Sequence, residues 1–120
     1  MSDARYFDTG ATRDTDDGKL DFEACLSPVV LRRYVEYMYQ HNQQSDGKQR
    51  PGDNWQRGIP IPVYMKSLMR HVMAVWEDHR VLVASPHWGE FPEDMEQVQD
   101  DLCAVIFNAM GLLYEHMRSS

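Results

Sequence analysis

The sequence predicts an all-α fold, a small bundle of three to four helices completed by oligomerisation. Three observations lead there. Apolar residues recur at helical spacing in three long segments, which open after Ser27-Pro28, after Pro62 and near Glu93. The connections between them are polar and rich in turn formers. The last segment is apolar around most of its circumference from Leu102 to Tyr114, more than two neighbouring helices can cover, so a second subunit is expected against it. At 120 residues the chain has one core, and it divides into an irregular arm over 1–24 and a single helical domain over 25–120.

The arm carries Asp-Thr-Gly at 8–10 and Asp-Thr-Asp-Asp-Gly-Lys at 14–19, turn formers without apolar periodicity. Phe7, Leu20 and Phe22 are expected to tack it to the domain, with order from about residue 18. The first helix starts at Ser27, a preferred N-cap, with Pro28 at its first position, and runs to about Gln40 with Val30, Leu31, Tyr34, Val35 and Met38 on one face. Residues 41–60 form a long polar connection with three Gly and two Pro, whose lone Trp55 docks on the core or stacks on a ligand. The second helix extends to about Arg80. A loop over 81–92 follows, with a short extended piece at Val81–Val83. The last helix runs from near Glu93 to about Met117, with acids in its first turn where the helix dipole favours them.

Composition narrows the function classes. The formal charge is −7, with 12 Lys and Arg against 19 Asp and Glu, which argues against a protein that coats nucleic acid or anionic membrane. That charge is partitioned. Residues 1–23 hold seven acids and three bases, residues 24–80 five acids and eight bases, and residues 81–120 seven acids and one base. No apolar run reaches the ~20 residues that span a bilayer, and no signal-peptide stretch opens the chain, so a cytoplasmic location is expected. Cys25 and Cys103 lack metal-ligand spacing and are expected to be small buried thiols.

Two polar stripes stand out. On the second helix Ser67, His71, Ala74 and Asp78 share one face, flanked by Arg70 and Glu77. On the last helix Asp101, Ala104, Asn108, Gly111 and Glu115 do the same. Asn108 and Gly111 each cost about 0.5–1 kcal/mol of helix propensity relative to Ala, so something must favour them there. One reading is structural: Ala104 and Gly111 allow close helix packing, and Asn108 makes a buried hydrogen bond. The other is functional: the stripes face each other, within one chain or across a dimer, and Asp100, Asp101 and Asn108 join Glu77 or Asp78 around a hard divalent cation, since Mg2+ and Mn2+ favour oxygen ligands. Phosphate-loop, dinucleotide, zincin and nucleophile-elbow motifs are absent.

A set of short motifs then runs in order along nearly the whole chain. These are Phe7-Asp8-Thr9-Gly10-Ala11-x-Arg13-Asp14 with Gly18-Lys19, Leu26-Ser27-Pro28, Asn54-Trp55-x-x-Gly58, Ser67-x-x-Arg70-His71, and Asp100-x-Leu102-x-Ala104-x-x-x-Asn108-Ala109. Together they resemble the phage and prophage family described as the N-terminal domain of dATP/dGTP diphosphohydrolases. That family is similar to the MazG-like all-α nucleoside triphosphate pyrophosphatases.

The resemblance implies a Mg2+- or Mn2+-dependent pyrophosphohydrolase that converts purine dNTPs to dNMP and pyrophosphate, working as a homodimer or larger homo-oligomer in the host cytoplasm. It implies metal ligands among Glu77, Asp78, Asp100, Asp101 and Asn108, and a catalytic set of His71, Asp100 and Asp101. Nucleotide contacts would come from Lys19, Asn54, Trp55, Arg57, Ser67, Arg70 and Asn108, with Lys19, Arg57 and Arg70 neutralising the triphosphate and Trp55 stacking on the base.

The chain departs from the MazG pattern in lacking ExxE on the second helix and ExxD on the last. That departure motivates an alternative, a phage protein that binds or sequesters a nucleotide without turning it over. A third reading, a module that docks its apolar last helix on a host protein, rests on that helix alone.

Overall fold

The computed structural model describes residues 4–87 and 90–118. It is mostly helical, with one small sheet. Strands β1 (Ala4–Tyr6) and β2 (Thr12–Asp14) pair antiparallel, Arg5 opposite Arg13. They are followed by a one-turn helix α1 (Phe22–Cys25), then α2 (Pro28–His41), a 3-10 turn (Asn54–Arg57), α3 (Ile61–Ala84) and α4 (Pro92–Arg118).

The helix starts follow their local chemistry. Asp21 caps α1 by accepting from the Ala24 N–H, and Ser27 caps α2 by accepting from the Val30 N–H, with Pro28 supplying a preset φ at the first position. Two expectations about element extent are corrected. Val81–Ala84 is not extended but continues α3, because lengthening an existing helix adds one backbone hydrogen bond per residue fixed: the Ser85 N–H still reaches the Val81 carbonyl. The arm is not wholly irregular but holds a hairpin, in which Gly10 at φ 91° makes the turn. Trp88 and Gly89 of the expected 81–92 loop, and residues 1–3 of the arm, lie outside the described residues.

The core is small. α3 and α4 form an antiparallel hairpin along most of their length, and α2 leans on α4. Tyr37 of α2 packs with Cys103 and Ala104 of α4, bordered by Tyr34 and Met38. The tightest point lies between the long helices. Tyr64 is the one large side chain among the described residues that is fully buried, and its ring occupies the notch left by Gly111: a Cβ on Gly111 would overlap that ring. The phenol also tilts against Phe107, with ring centroids 5.9 Å apart.

Several residues expected inside are outside. Phe7, Leu20 and Phe22 are exposed, so they do not tack the arm down. Cys25 is exposed as well, while Cys103 is buried. Both results have one cause: the arm's main packing is β1 on β2, and α1 is too short to carry a face onto the helices.

Gly111→Ala is expected to destabilise the fold by about 1–3 kcal/mol through overpacking against Tyr64. Gly52→Ala, where an added methyl meets open space, should shift the urea midpoint little.

Candidate functional site

The site follows from the register of α3 on α4. Tyr64 lies against Gly111, the Ile59 N–H reaches Glu115, and Asp78 meets Asp101, so the pairs run in opposite directions along the two helices. The second-helix stripe of Ser67, His71, Ala74 and Asp78 therefore faces the last-helix stripe of Asp101, Ala104, Asn108, Gly111 and Glu115 within one chain. At Gly111 the approach is close enough that a Cβ would overlap the Tyr64 ring.

Its lower part is a carboxylate pair. The Asp78 carboxyl is pushed up to about 6, first by burial and then by the neighbouring Asp101 and by Glu77. Asp78 Oδ2 is buried without a hydrogen-bond partner. With both groups ionised no donor lies between them, so a shared proton or a cation is what would join them. Asp101 is held on its other side, where its Oδ1 accepts from Gln97 Nε2 at 3.2 Å.

His71 lies near enough to feel the Asp101 charge, yet its pKa is lowered overall. Burial is the main cause, then Arg70, with His41 adding to it. That shift favours the neutral imidazole, the form able to accept a proton.

The remaining expected residues fall into separate places. Asp100, one residue from Asp101, points toward α2 and pairs with Arg33 at 2.6 Å, while Arg33 Nε donates to Gln99 at 2.8 Å. Adjacent residues on a helix diverge by about 100°, which separates the two aspartates. Asn108 is buried and donates to the Ala104 carbonyl at 2.8 Å, as the structural reading of the stripe expected. Glu77 is exposed on the flank of α3. Arg70 reaches back to Ser67 Oγ at 3.4 Å, a weak bond at that length. Lys19 is exposed in the arm, and Arg57 at the end of the 3-10 turn.

Asn54 and Trp55 belong to a neighbouring feature. They line a cavity of about 200 Å³ together with Arg50, His41, Tyr37 and Phe107. Trp55 stands edge-on to Tyr114, with centroids 4.9 Å apart, so it docks on α4 while still bordering the cavity. His41 stacks on Tyr37 with ring centroids 4.0 Å apart and adds to the lowering of the His71 pKa. A second anchor fixes the loop that carries Asn54 and Trp55. Glu115, which is buried, accepts from the Ile59 N–H and pairs with Arg118 at 2.8 Å. Gly58, at φ 106°, leaves the space that the Arg118 guanidinium fills.

The sequence reading missed Arg33, Gln97, His41 and Tyr64. Of these only Gln97 carried a local signal, its i,i+4 spacing to Asp101. Comparison with family models, with curated proteins and with solved structures found no match. No helix among the described residues is long and apolar enough to cross a membrane.

The raised Asp78 pKa has a defined sign. Between its ordinary value of 3.8 and about 6 the folded protein keeps a proton that the unfolded chain releases, so Asp78 lowers stability progressively as pH rises through that window. In EDTA, the stability of wild type relative to Asp78→Asn should therefore fall between about pH 4 and pH 6 and level off above. Urea melts at several pH values would show it, and a constant difference would mean that Asp78 titrates as an ordinary carboxylate.

Proposed function

We propose that the protein is a Mg2+-dependent (d)NTP pyrophosphohydrolase acting on purine dNTPs, cytoplasmic and homo-oligomeric. The observation that carries this reading is the Asp78–Asp101 pair, two carboxylates from adjacent helices with a buried oxygen that lacks a partner. The donor set suits a hard divalent ion: Asp78 and Asp101 would hold it, and Asp78 Oδ2 is buried without a hydrogen-bond partner. When bound, the cation would supply charge neutralisation and polarisation at the phosphate.

The chain's own residues provide the rest. Neutral His71 takes a proton from the attacking water as the oxygen joins the α-phosphorus, and the bond to the β-phosphate oxygen breaks to release pyrophosphate. Arg70 beside it, and Arg50 in the adjoining cavity, offset triphosphate charge. The indole of Trp55 gives that cavity an aromatic wall suited to a purine. Asp100 acts only through Arg33, fixing α2 against α4 and so the position of His41.

Pyrophosphate release from dATP and dGTP with Mg2+ or Mn2+ tests the reading. Asp78→Asn and Asp101→Asn should each lower turnover by about 100-fold or more, the scale of losing one preorganised charge-stabilising group. Asp100→Asn should stay within about tenfold, because it loosens a partly exposed ion pair. Absence of pyrophosphate from every dNTP with either metal would sink the proposal.

One observation favours a second reading, nucleotide binding without turnover. With Asp100 engaged by Arg33, no group of three or more His, Cys, Asp or Glu side chains is arranged for a metal among the described residues. Calorimetry with EDTA present separates the two: tight dNTP binding without turnover supports sequestration, and strict metal dependence excludes it.

A further inference from the structure

Between α2, α4 and the loop that joins α2 to α3 lies a larger cavity, of about 410 Å³. It adjoins the one that Arg50 and His41 border, since Met38, Asn42, Trp55 and Phe107 line both. Its chemistry is different. Tyr34, Tyr39, Trp55, Phe107 and Tyr114 give it aromatic walls, and the rest of the lining is aliphatic, methionine or glycine apart from one side chain, Asn42. Among the described residues no Lys, Arg, His, Asp or Glu lines it. An apolar lining with a very few placed polar groups, in a volume of about 300–1,000 Å³, is the pattern of a small-molecule site.

The fold makes no use of the Asn42 amide. Asn42 is 6% exposed and ends α2, its N–H donating to the Met38 carbonyl and its own carbonyl accepting from the Arg50 N–H. Asn is favoured at a helix end where the backbone turns left-handed, but here φ is −82°, a value open to any residue. Among the described residues no hydrogen bond engages the side-chain amide, in contrast to that of Asn108, the other buried Asn of the helices, which donates to Ala104. A buried amide without a partner lowers stability, and a Leu of similar shape would serve packing better. The amide therefore calls for a partner from outside the chain.

We propose that this cavity binds a neutral, flat aromatic carboxamide or lactam, its ring against the aromatic walls and its amide edge on Asn42. The Asn42 side chain offers an N–H donor and a C=O acceptor side by side, and an amide edge answers with an acceptor and a donor. A carboxylate could answer only the donor, and would set its charge against the Asn42 carbonyl in a lining that holds no cation. The five aromatic side chains favour a ring over an aliphatic chain. The site uses none of Asp78, Asp101 and Arg50, so it stands apart from the nucleotide reading.

Calorimetry on the full chain with 2-naphthamide, naphthalene and 2-naphthoate tests it. The naphthamide should bind once per chain, about tenfold or more tighter than either analogue, because naphthalene leaves Asn42 unpaired and naphthoate brings a charge. Asn42→Leu should remove the preference for naphthamide over naphthalene. Should that variant lose helicity, Leu113→Glu serves instead: Leu113 lines the cavity at 61% exposure, and a charge there should weaken naphthamide about tenfold. Saturating dATP should leave naphthamide affinity unchanged. Four results would overturn the proposal: no saturable naphthamide binding, equal affinity for naphthalene, a preference that survives in folded Asn42→Leu or an affinity unmoved by Leu113→Glu, or competitive displacement by dATP, which would make the cavity part of the nucleotide's own site. Pyrophosphate release enters none of these readouts, so failure here and failure of the enzymatic reading are distinguishable.

Discussion

The close approach of α3 and α4 at Tyr64 and Gly111 governs the rest of the molecule. A helix backbone without a Cβ at that point admits an aromatic ring, and the ring sets both the separation and the axial register of the pair. Once that register is fixed, every other facing position follows at 1.5 Å per residue. Asp78 has to meet Asp101 at one end, and the Gly58–Ile59 turn has to meet Glu115 at the other. The helix propensity lost at Gly111 and Asn108, about 0.5–1 kcal/mol at each, is offset by the Tyr64 burial the first permits and the hydrogen bond the second makes to its own helix.

The same register divides the acidic residues of α4 into roles that composition does not distinguish. Asp101 is turned into the contact with α3, where burial and a like charge raise the proton affinity of Asp78. Asp100 is turned toward α2 and neutralised by Arg33. Glu115 is buried, and its cost of desolvation is answered by Arg118 and a backbone N–H. Of these charges, the Asp78–Asp101 pair alone is left with an unanswered electrostatic demand, and for that reason the functional reading centres on it. The middle segment, basic in sum, supplies Arg33 to hold Asp100 and Arg50 and Arg70 around the site.

Legibility followed the range of the interactions. The α2 start at Ser27-Pro28, the three long helices and both polar stripes were readable because capping and helical periodicity act over a few residues. The hairpin in the arm was not, since three-residue strands leave too little alternation to read. Nor was the exposure of Phe7, Leu20, Phe22 and Cys25, because burial depends on whether another element reaches that surface. Arg33 and Asp100 lie 67 positions apart, and nothing local in either segment announces their pairing.

By itself, then, the sequence determined a mostly helical chain and the faces on which its polar and small residues lie, because 3.6-residue periodicity and end caps are local properties of the backbone. It also marked Asp100 and Asp101 as a pair. Only the tertiary structure decided that the pair is split, that Asp78 rather than Glu77 joins Asp101, and that the two stripes meet within one chain. The physical reason is directional: consecutive side chains leave a helix about 100° apart, and which of them becomes buried depends on the neighbour that the Tyr64–Gly111 contact brings alongside.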